Sequence, residues 1–177
     1  MESVTIKNGT LISLKRAQVQ DAADIVNFYN YIGGQTDFLS FGKDEFPNDV
    51  KAEEKFIESI EKSVVDIMLL ARAEGKLVGI ATINTSPKRK FRHVGEMGIG
   101  IELDYCGLGL GRAMLDKVLD FARGNGTTKK VNLVTRSDNS RGIALYEKLG
   151  FKPEGLLKSE SFEGGKYYDS LLMGLFL

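Results

Sequence analysis

The sequence predicts an α+β protein in which helices cover a mixed β-sheet. Its segments follow in the order strand, two helices, three strands, helix, strand, helix and two strands, without an internal repeat or a linker. Glycines end several helical segments, as at Gly33, Gly124 and Gly150. Because 177 residues is near the size of one compact domain, we expect residues 1–177 to form a single domain.

Each element is predicted from its own spacing of apolar residues. Residues 11–17 alternate between apolar and polar as a half-buried strand does, and residues 21–33 have helical spacing. A second helix is predicted over residues 49–62, with Val50, Phe56, Ile57 and Ile60 facing inward. The remaining strands are predicted at residues 66–73, 77–85, 91–103, 131–135, 151–162 and 166–177, and the remaining helices at 112–123 and 139–149.

Composition excludes several classes of function. Lys plus Arg and Asp plus Glu balance at 24 each, without the basic excess of a nucleic-acid-binding protein. Cys106 is the single cysteine, so a reducing compartment is the simplest expectation. His93 is the single histidine, which rules out a multi-histidine metal site. Neither a signal peptide nor a membrane-spanning segment is recognisable, so we expect a cytoplasmic protein.

A glycine-rich segment between a predicted strand and a predicted helix carries the first functional signal. Gly107, Gly109 and Gly111 alternate with Leu108 and Leu110. Glycine allows tight turns and close approach of the backbone to a ligand. The first N–H groups of a helix have no partner in the helix, and with the helix dipole they favour bound phosphate. The segment therefore predicts a phosphate or pyrophosphate site, with a purely structural turn as the alternative.

Two common nucleotide motifs do not fit this segment. A dinucleotide fingerprint needs a third glycine where Arg112 or Met114 stands, and it needs an acidic residue where Lys129 and Lys130 lie. A nucleotide P-loop needs Lys and Ser or Thr after its last glycine, but Gly111 is followed by Arg112 and Ala113. The anion is therefore expected to belong to another class of ligand.

Three segments together resemble the GNAT superfamily of N-acetyltransferases. Residues 106–111, CGLGLG, resemble the signature loop Gln/Arg-x-x-Gly-x-Gly/Ala, with Cys106 in the place of Gln or Arg. Residues 139–151, NSRGIALYEKLGF, resemble the segment Asn…Leu-Tyr-x-x-x-Gly-Phe, with Gly142 where Ala is frequent. Residues 168–173 are similar to the closing strand. The motifs occur in family order and at family spacing over most of the chain.

The resemblance implies a fold and a cosubstrate. The fold is a mostly antiparallel sheet of six to seven strands, splayed in its middle and flanked by about four helices. Acetyl-CoA would lie in the splay, its pantetheine arm on the strand that ends near residue 103 and its pyrophosphate on backbone amides, and no metal is implied. The residues implied in this binding are Ile99, Ile101, Cys106, Gly107, Leu108, Gly109, Leu110, Gly111, Arg112, Ala113 and Asn139.

The resemblance also implies catalytic roles. Tyr146 falls on the family's tyrosine and would give a proton to the departing thiolate, with a core tyrosine as the alternative. Glu96 shares a strand face with Gly98 and Gly100 and stands where some small-amine members have a Glu. Glu96, Glu102 or a chain of waters would take the amine proton, and a backbone N–H near Ile101 would stabilise the oxyanion.

Further residues keep two interpretations each. Asn139 would hold the cofactor by resemblance, and it also stands at an N-cap position, so both roles are open. Arg112 and Arg141 are candidates to neutralise phosphates. Phe38, Phe41 and Phe46 lie in the region that covers the acceptor in this superfamily, with core packing as the alternative. Cys106 is interpreted as a loop residue and not as a nucleophile.

We therefore predict an acetyl-CoA-dependent N-acetyltransferase that works by direct transfer in a ternary complex. The predicted acceptor is a small amine, such as a polyamine, an amino acid or an amine toxin. One alternative is a protein N-terminal acetyltransferase of the ribosomal-protein type. The other is a coenzyme A-binding regulatory module without turnover, although Tyr146 and Glu96 favour an enzyme. The oligomeric state is left open, with a homodimer among the options.

Overall fold

The computed structural model describes residues 2–177 and contains eight strands and four α-helices. The strands are β1 (Glu2–Thr5), β2 (Leu11–Arg16), β3 (Ile67–Ala73), β4 (Lys76–Thr85), β5 (Val94–Ile101), β6 (Lys130–Arg136), β7 (Lys152–Glu163) and β8 (Lys166–Phe176). The helices are α1 (Ala22–Gly33), α2 (Val50–Lys62), α3 (Leu110–Gly124) and α4 (Ser140–Lys148). Among residues 2–177, none of these helices has the length and apolar character needed to cross a bilayer.

The strands form one sheet in the order β1-β2-β3-β4-β5-β6-β8-β7. Every neighbouring pair is antiparallel except β5 and β6, which are parallel. The predicted α+β class and the mostly antiparallel sheet are therefore confirmed. The count of strands is higher than six to seven because β1 adds a strand beside β2. This strand was missed because Glu2–Thr5 is four residues long and contains one apolar residue, Val4.

Two apolar clusters cover the two faces of the sheet. On one face, α3 buries six apolar residues completely; these are Leu110, Met114, Leu115, Val118, Leu119 and Ala122. On the other face, α1 and α2 pack against β3 and β4 through residues such as Ile25, Ile57 and Ile80. Full burial of a Leu, Ile or Val side chain contributes about 1.5–3 kcal/mol, so each helix is held by a few such residues.

Three predicted boundaries differ from the structure by two residues or more, and one predicted orientation was wrong. Strand β5 begins at Val94, not at residue 91, because turn hydrogen bonds from Phe91 N to Lys88 O and from Val94 N to Phe91 O continue the preceding turn. It ends at Ile101, since a short 3-10 turn occupies Leu103–Tyr105. Helix α3 begins at Leu110, two residues before the predicted start. Phe56 is 41% exposed, whereas Glu53 of the same helix is buried.

Candidate active site

The sheet opens between its two parallel strands, β5 and β6. β5 and β6 pair from Val94↔Lys130 to Glu96↔Asn132, and β5 then continues to Ile101 paired with β4 alone. β6 meanwhile stays paired with β8 as far as Arg136↔Ser170. A cavity of about 1190 Å³ lies in this opening and is bordered by both strands. The predicted splay is therefore present, and one backbone edge of β5 is free to pair with an extended ligand.

The glycine loop forms one end of this cavity. Gly107 and Gly109 have φ of +76° and +95°, which is the left-handed region that favours glycine. Among the residues that the structure describes, no amide of residues 107–112 donates a hydrogen bond to the protein; the first such bond of α3 runs from Ala113 N to Gly109 O. Six unpaired N–H groups at a helix N-terminus fit a phosphate or pyrophosphate.

The loop residues divide into those that border the cavity and those that anchor the loop. Leu110 is completely buried, Leu108 packs against the core, and neither side chain borders the cavity; the same holds for Ala113. Leu108 and Leu110 can meet a ligand only through their backbone, which is how they were predicted, whereas the amide of Ala113 already donates to Gly109 O. Lys7 N donates to Leu108 O at 2.9 Å and ties the loop to the turn after β1.

Positive charge gathers around the glycine loop. A Cβ on Gly107 would stand 2.6 Å from an Arg141 guanidinium nitrogen, so this guanidinium lies directly beside the loop. Arg112 Nε forms an ion pair with Asp116 Oδ2 at 2.7 Å, and its guanidinium also donates to Lys148 O at 3.4 Å. Arg112, Arg141, Lys148 and Lys7 all border the cavity. Opposite charges attract strongly at such a partly enclosed site, so this end suits a polyanion.

Cys106 borders the cavity as a protonated thiol. Burial raises its pKa, against a smaller lowering by the positive charge of Arg141. Its Sγ lies 3.7 Å from Ile101 O. A cysteine nucleophile needs a lowered pKa, so this environment agrees with its interpretation as a loop residue.

Tyr146 lies on α4 and borders the same cavity. Its ring packs edge-on against the fully buried Phe151, with centroids 6.2 Å apart. Burial raises the pKa of its hydroxyl above the ordinary value, so the phenol is protonated at neutral pH. The position thus combines the two predicted interpretations: a ring anchored in the core and a proton donor beside a cavity.

The predicted face of β5 is confirmed. Glu96 is exposed, borders the cavity and accepts a hydrogen bond from Asn132 at 3.2 Å. Gly98 and Gly100 lie on its side of the strand, where a Cβ on Gly100 would stand 2.6 Å from Ile32 of α1. Ile99 and Ile101 point to the opposite face, toward Gly111 of α3. The carboxylate is therefore reachable from the cavity beside a strip without side chains.

Glu102 is separated from the cavity. Its side chain is buried and forms an ion pair with Lys76 Nζ at 2.6 Å, and it accepts from the Tyr31 hydroxyl at 3.3 Å. Glu102 does not border the cavity. Because its oxygen is already engaged by Lys76 and Tyr31 and lies away from the cavity, the geometry favours Glu96 over Glu102 as the base.

Asn139 caps helix α4, as its sequence position predicted. Its side-chain oxygen accepts from Gly142 N at 3.0 Å, and its amide nitrogen donates to Thr135 Oγ1 at 3.0 Å, which fixes α4 to β6. A Cβ on residue 142 would stand 2.6 Å from that amide nitrogen, so Gly142 suits this cap better than alanine would. Asn139 also borders the cavity, and its contact with a cofactor stays a prediction.

The far end of the cavity is aromatic and contains a carboxylate that sequence reasoning missed. Phe38, Phe41, Phe46 and Tyr29 border it, and so does Glu53 of α2. Glu53 is only 8% exposed. The sequence contains one signal for its inward orientation: Glu53, Ile57 and Ile60 occupy positions i, i+4 and i+7, which share a helix face. A charged residue on that face was not recognised as inward.

Comparisons with known proteins agree with this geometry. A family model described as "Acetyltransferase (GNAT) family" matches residues 36–151. The N-alpha-acetyltransferase RimI of Mycobacterium tuberculosis is 41% identical over 90 residues, which are 49% of this chain and 52% of the relative. The match thus spans about half the length of that relative. The L-methionine sulfoximine/L-methionine sulfone acetyltransferase of Pseudomonas aeruginosa is 26% identical over 164 residues, 92% of this chain and 93% of the relative.

Solved structures show the same fold. A GNAT-family acetyltransferase from Streptococcus pneumoniae superimposes with a TM-score of 0.91 and 31% identity, over 94% of this chain and 99% of that one. A phosphinothricin acetyltransferase from Sinorhizobium meliloti, solved in complex with acetyl-CoA, gives a TM-score of 0.81 at 22% identity, over 94% and 88% of the two chains. With the family model matching more than half of the sequence, the chain belongs to the acetyltransferase (GNAT) family.

Proposed function

We propose that this protein is an acetyl-CoA-dependent N-acetyltransferase that transfers acetyl to a primary amine by direct attack in a ternary complex. One observation carries the proposal: the backbone amides of residues 107–112 are unpaired, and Gly107, Gly109, Gly111 and Arg112 of this loop border the same cavity as Tyr146 and Glu96. An anion site, a free strand edge and an acid–base pair then serve a single ligand-binding space.

The cosubstrate would be held mainly by the backbone. The amides of residues 107–112 would receive the pyrophosphate, and Arg141 and Arg112 would add positive charge. The free edge of β5 at Ile99 and Ile101 would pair with the amide-bearing arm, beside Asn139. Acetyl-CoA supplies the reactive thioester. The relative from S. meliloti supports this role, since it was solved with acetyl-CoA.

Two side chains would move the protons. An ammonium has no lone pair, so Glu96, directly or through water, would take a proton from the amine before attack. Tyr146, protonated in its half-buried position, would give a proton to the sulfur when the carbon–sulfur bond breaks. The N–H near Ile101 would donate to the developing oxyanion. An acyl-enzyme is not required, which agrees with the protonated state of Cys106.

A small amine is the proposed acceptor. The acceptor end is bordered by aromatic side chains from α1, α2 and the segment between them, and the named relatives include an enzyme for the small molecules methionine sulfoximine and methionine sulfone. A protein N-terminus is the second candidate, favoured by the 41% identity to RimI over 90 residues. A regulatory module without turnover would not need the pair Tyr146 and Glu96 at one cavity.

An assay of free thiol release from acetyl-CoA tests the proposal. The panel contains aliphatic amines, amino acids, amine toxins and short peptides with free N-termini, each at neutral pH. Release that depends on a small amine supports the proposal, and release with peptides alone supports the second candidate. Tight acetyl-CoA binding without release for any amine would contradict enzymatic function and leave the regulatory module.

A further inference from the structure

The charged residues of the cavity are separated by sign. Its four basic side chains, Lys7, Arg112, Arg141 and Lys148, all gather near the glycine loop. Within residues 2–177, the carboxylates that border the cavity are Glu53 and Glu96 alone, and both belong to the other end. The acceptor end therefore has two lining carboxylates and no lining lysine or arginine, which favours cationic ligands. Arg136, whose guanidinium carbon lies 5.1 Å from the centroid of the Phe38 ring, is paired with Asp138.

Glu53 lies in this end without a partner. It is more than nine-tenths buried, and its Oε1 has no hydrogen-bond partner among the described residues. Burial of an unpaired carboxylate is costly, and burial accordingly raises the pKa of Glu53. Its charge also contributes to the raised pKa of Tyr29, so the two groups are neighbours. A positively charged ligand would supply the missing partner.

An aromatic cluster stands beside this carboxylate. The Tyr29 ring lies 4.5 Å from that of Phe46 and 5.6 Å from that of Phe41, and the two phenylalanine rings are 5.4 Å apart, centroid to centroid. All three rings border the cavity. Aromatic faces attract cations, and the attraction increases when the cation is desolvated. The cluster and Glu53 thus provide the two kinds of group that hold a buried ammonium.

We propose that Glu53 and the cluster of Tyr29, Phe41 and Phe46 bind a second, non-reacting ammonium of the acceptor, so that the preferred acceptor is an aliphatic diamine or polyamine. This inference rests on the proposed function and narrows its acceptor. One amine is delivered near Glu96 and reacts, while the other pairs with Glu53. An acceptor with a carboxylate would instead place negative charge between two carboxylates, which is unfavourable.

Binding and turnover of matched amines test the inference. Calorimetry measures the Kd of 1,4-diaminobutane and of butylamine for the wild-type protein with coenzyme A, and thiol release gives kcat/KM for both. We expect the Kd of the diamine to be at least about tenfold lower than that of the monoamine, and its kcat/KM at least about tenfold higher, since only the diamine can form a charged hydrogen bond with Glu53. A series from 1,3-diaminopropane to 1,6-diaminohexane should show one preferred length.

The variant Glu53→Gln isolates the carboxylate. Its diamine-to-monoamine ratio should fall to about one, and diamine Kd should rise about tenfold or more. Glu58→Gln is the matched control, because Glu58 is an exposed residue of the same helix, and it should keep the wild-type ratio. The melting temperature of Glu53→Gln should be at least that of the wild type, which separates lost recognition from lost folding.

The outcomes separate this inference from the proposed function. Acetylation of monoamines or amino acids as efficiently as diamines, or an unchanged ratio in Glu53→Gln, would overturn the inference and leave the N-acetyltransferase standing. Diamine binding that depends on Glu53, without thiol release for any amine, would support the cation subsite and contradict the enzyme. Failure of both diamine binding and thiol release would contradict both.

Discussion

The two ends of the cavity recognise ligands by different means. At the glycine loop, unpaired backbone amides and four basic side chains surround the binding space. At the acceptor end, aromatic rings and two carboxylates border the binding space, and the carboxylate of Glu53 lacks a partner. The first end depends on a backbone conformation that favours glycine, whereas the second depends on which side chains α1 and α2 present. Substitutions should therefore affect the two substrates separately.

The largest expected effect is the loss of cosubstrate binding in Gly109→Val. Gly109 has φ of +95°, where a β-branched residue is strained, and its amide belongs to the unpaired set. The Kd for acetyl-CoA should rise about 100-fold, since the strain and the lost contacts together amount to a few kcal/mol. Calorimetry measures this Kd. Gly124→Ala is the control, because it lies at the end of α3 with open space around it and should bind normally.

Tyr146→Phe should give the next largest effect, confined to turnover. Removal of one proton donor lowers kcat by about 100-fold or more, while the Kd for acetyl-CoA stays within a factor of about two. Steady-state kinetics and calorimetry distinguish the two quantities. Tyr167→Phe, at an exposed site of β8, should leave both unchanged. Undiminished turnover in Tyr146→Phe would remove this residue from the mechanism.

Glu96→Gln and Glu102→Gln should separate catalysis from stability. Glu96→Gln should lower kcat/KM about tenfold at neutral pH, with residual activity through water. Glu102→Gln should keep most of the activity and lose about 1–2 kcal/mol of stability, because it weakens the hydrogen bonds with Lys76 and Tyr31. Kinetics and chemical denaturation test the pair, and the reverse pattern would make Glu102 the base.

The smallest effect concerns the stability of Glu53→Gln as a function of pH. Because the folded-state pKa of Glu53 is raised, the folded protein holds this proton more tightly than the unfolded chain, and wild-type stability falls as pH rises above about the ordinary value of 4.5. A glutamine does not titrate, so the stability of Glu53→Gln does not decrease with pH for this reason. Its melting temperature should match the wild type at low pH and exceed it by a few degrees at neutral pH. A lower melting temperature at neutral pH would show that Glu53 has a stabilising partner.

The difference between the two ends also decides what the sequence can predict. The glycine loop follows from local rules, since spaced glycines before a helix fix positive φ values and unpaired amides. Resemblance to known motifs brought Tyr146 and Asn139 to the same region, and the structure places both at the cavity. Strand alternation placed Glu96 and Gly100 on one face, as observed.

The rest depends on contacts between segments that are distant in the chain. The pairing of Glu102 with Lys76 results from the register of β4 and β5, which no local pattern specifies. Burial of Glu53 depends on how α2 packs beside the cavity, and charged residues usually face solvent. Polar residues on buried faces are therefore hard to predict, and in this chain one of them borders the cavity.

A crystal structure of the protein with coenzyme A and 1,4-diaminobutane is the most direct test of the account. We expect the diphosphate on the amides of residues 107–112, the extended arm along the free edge of β5, and one ammonium beside Glu53. A diphosphate bound elsewhere, or β5 and β6 paired along their whole length with the cavity closed, would contradict the account.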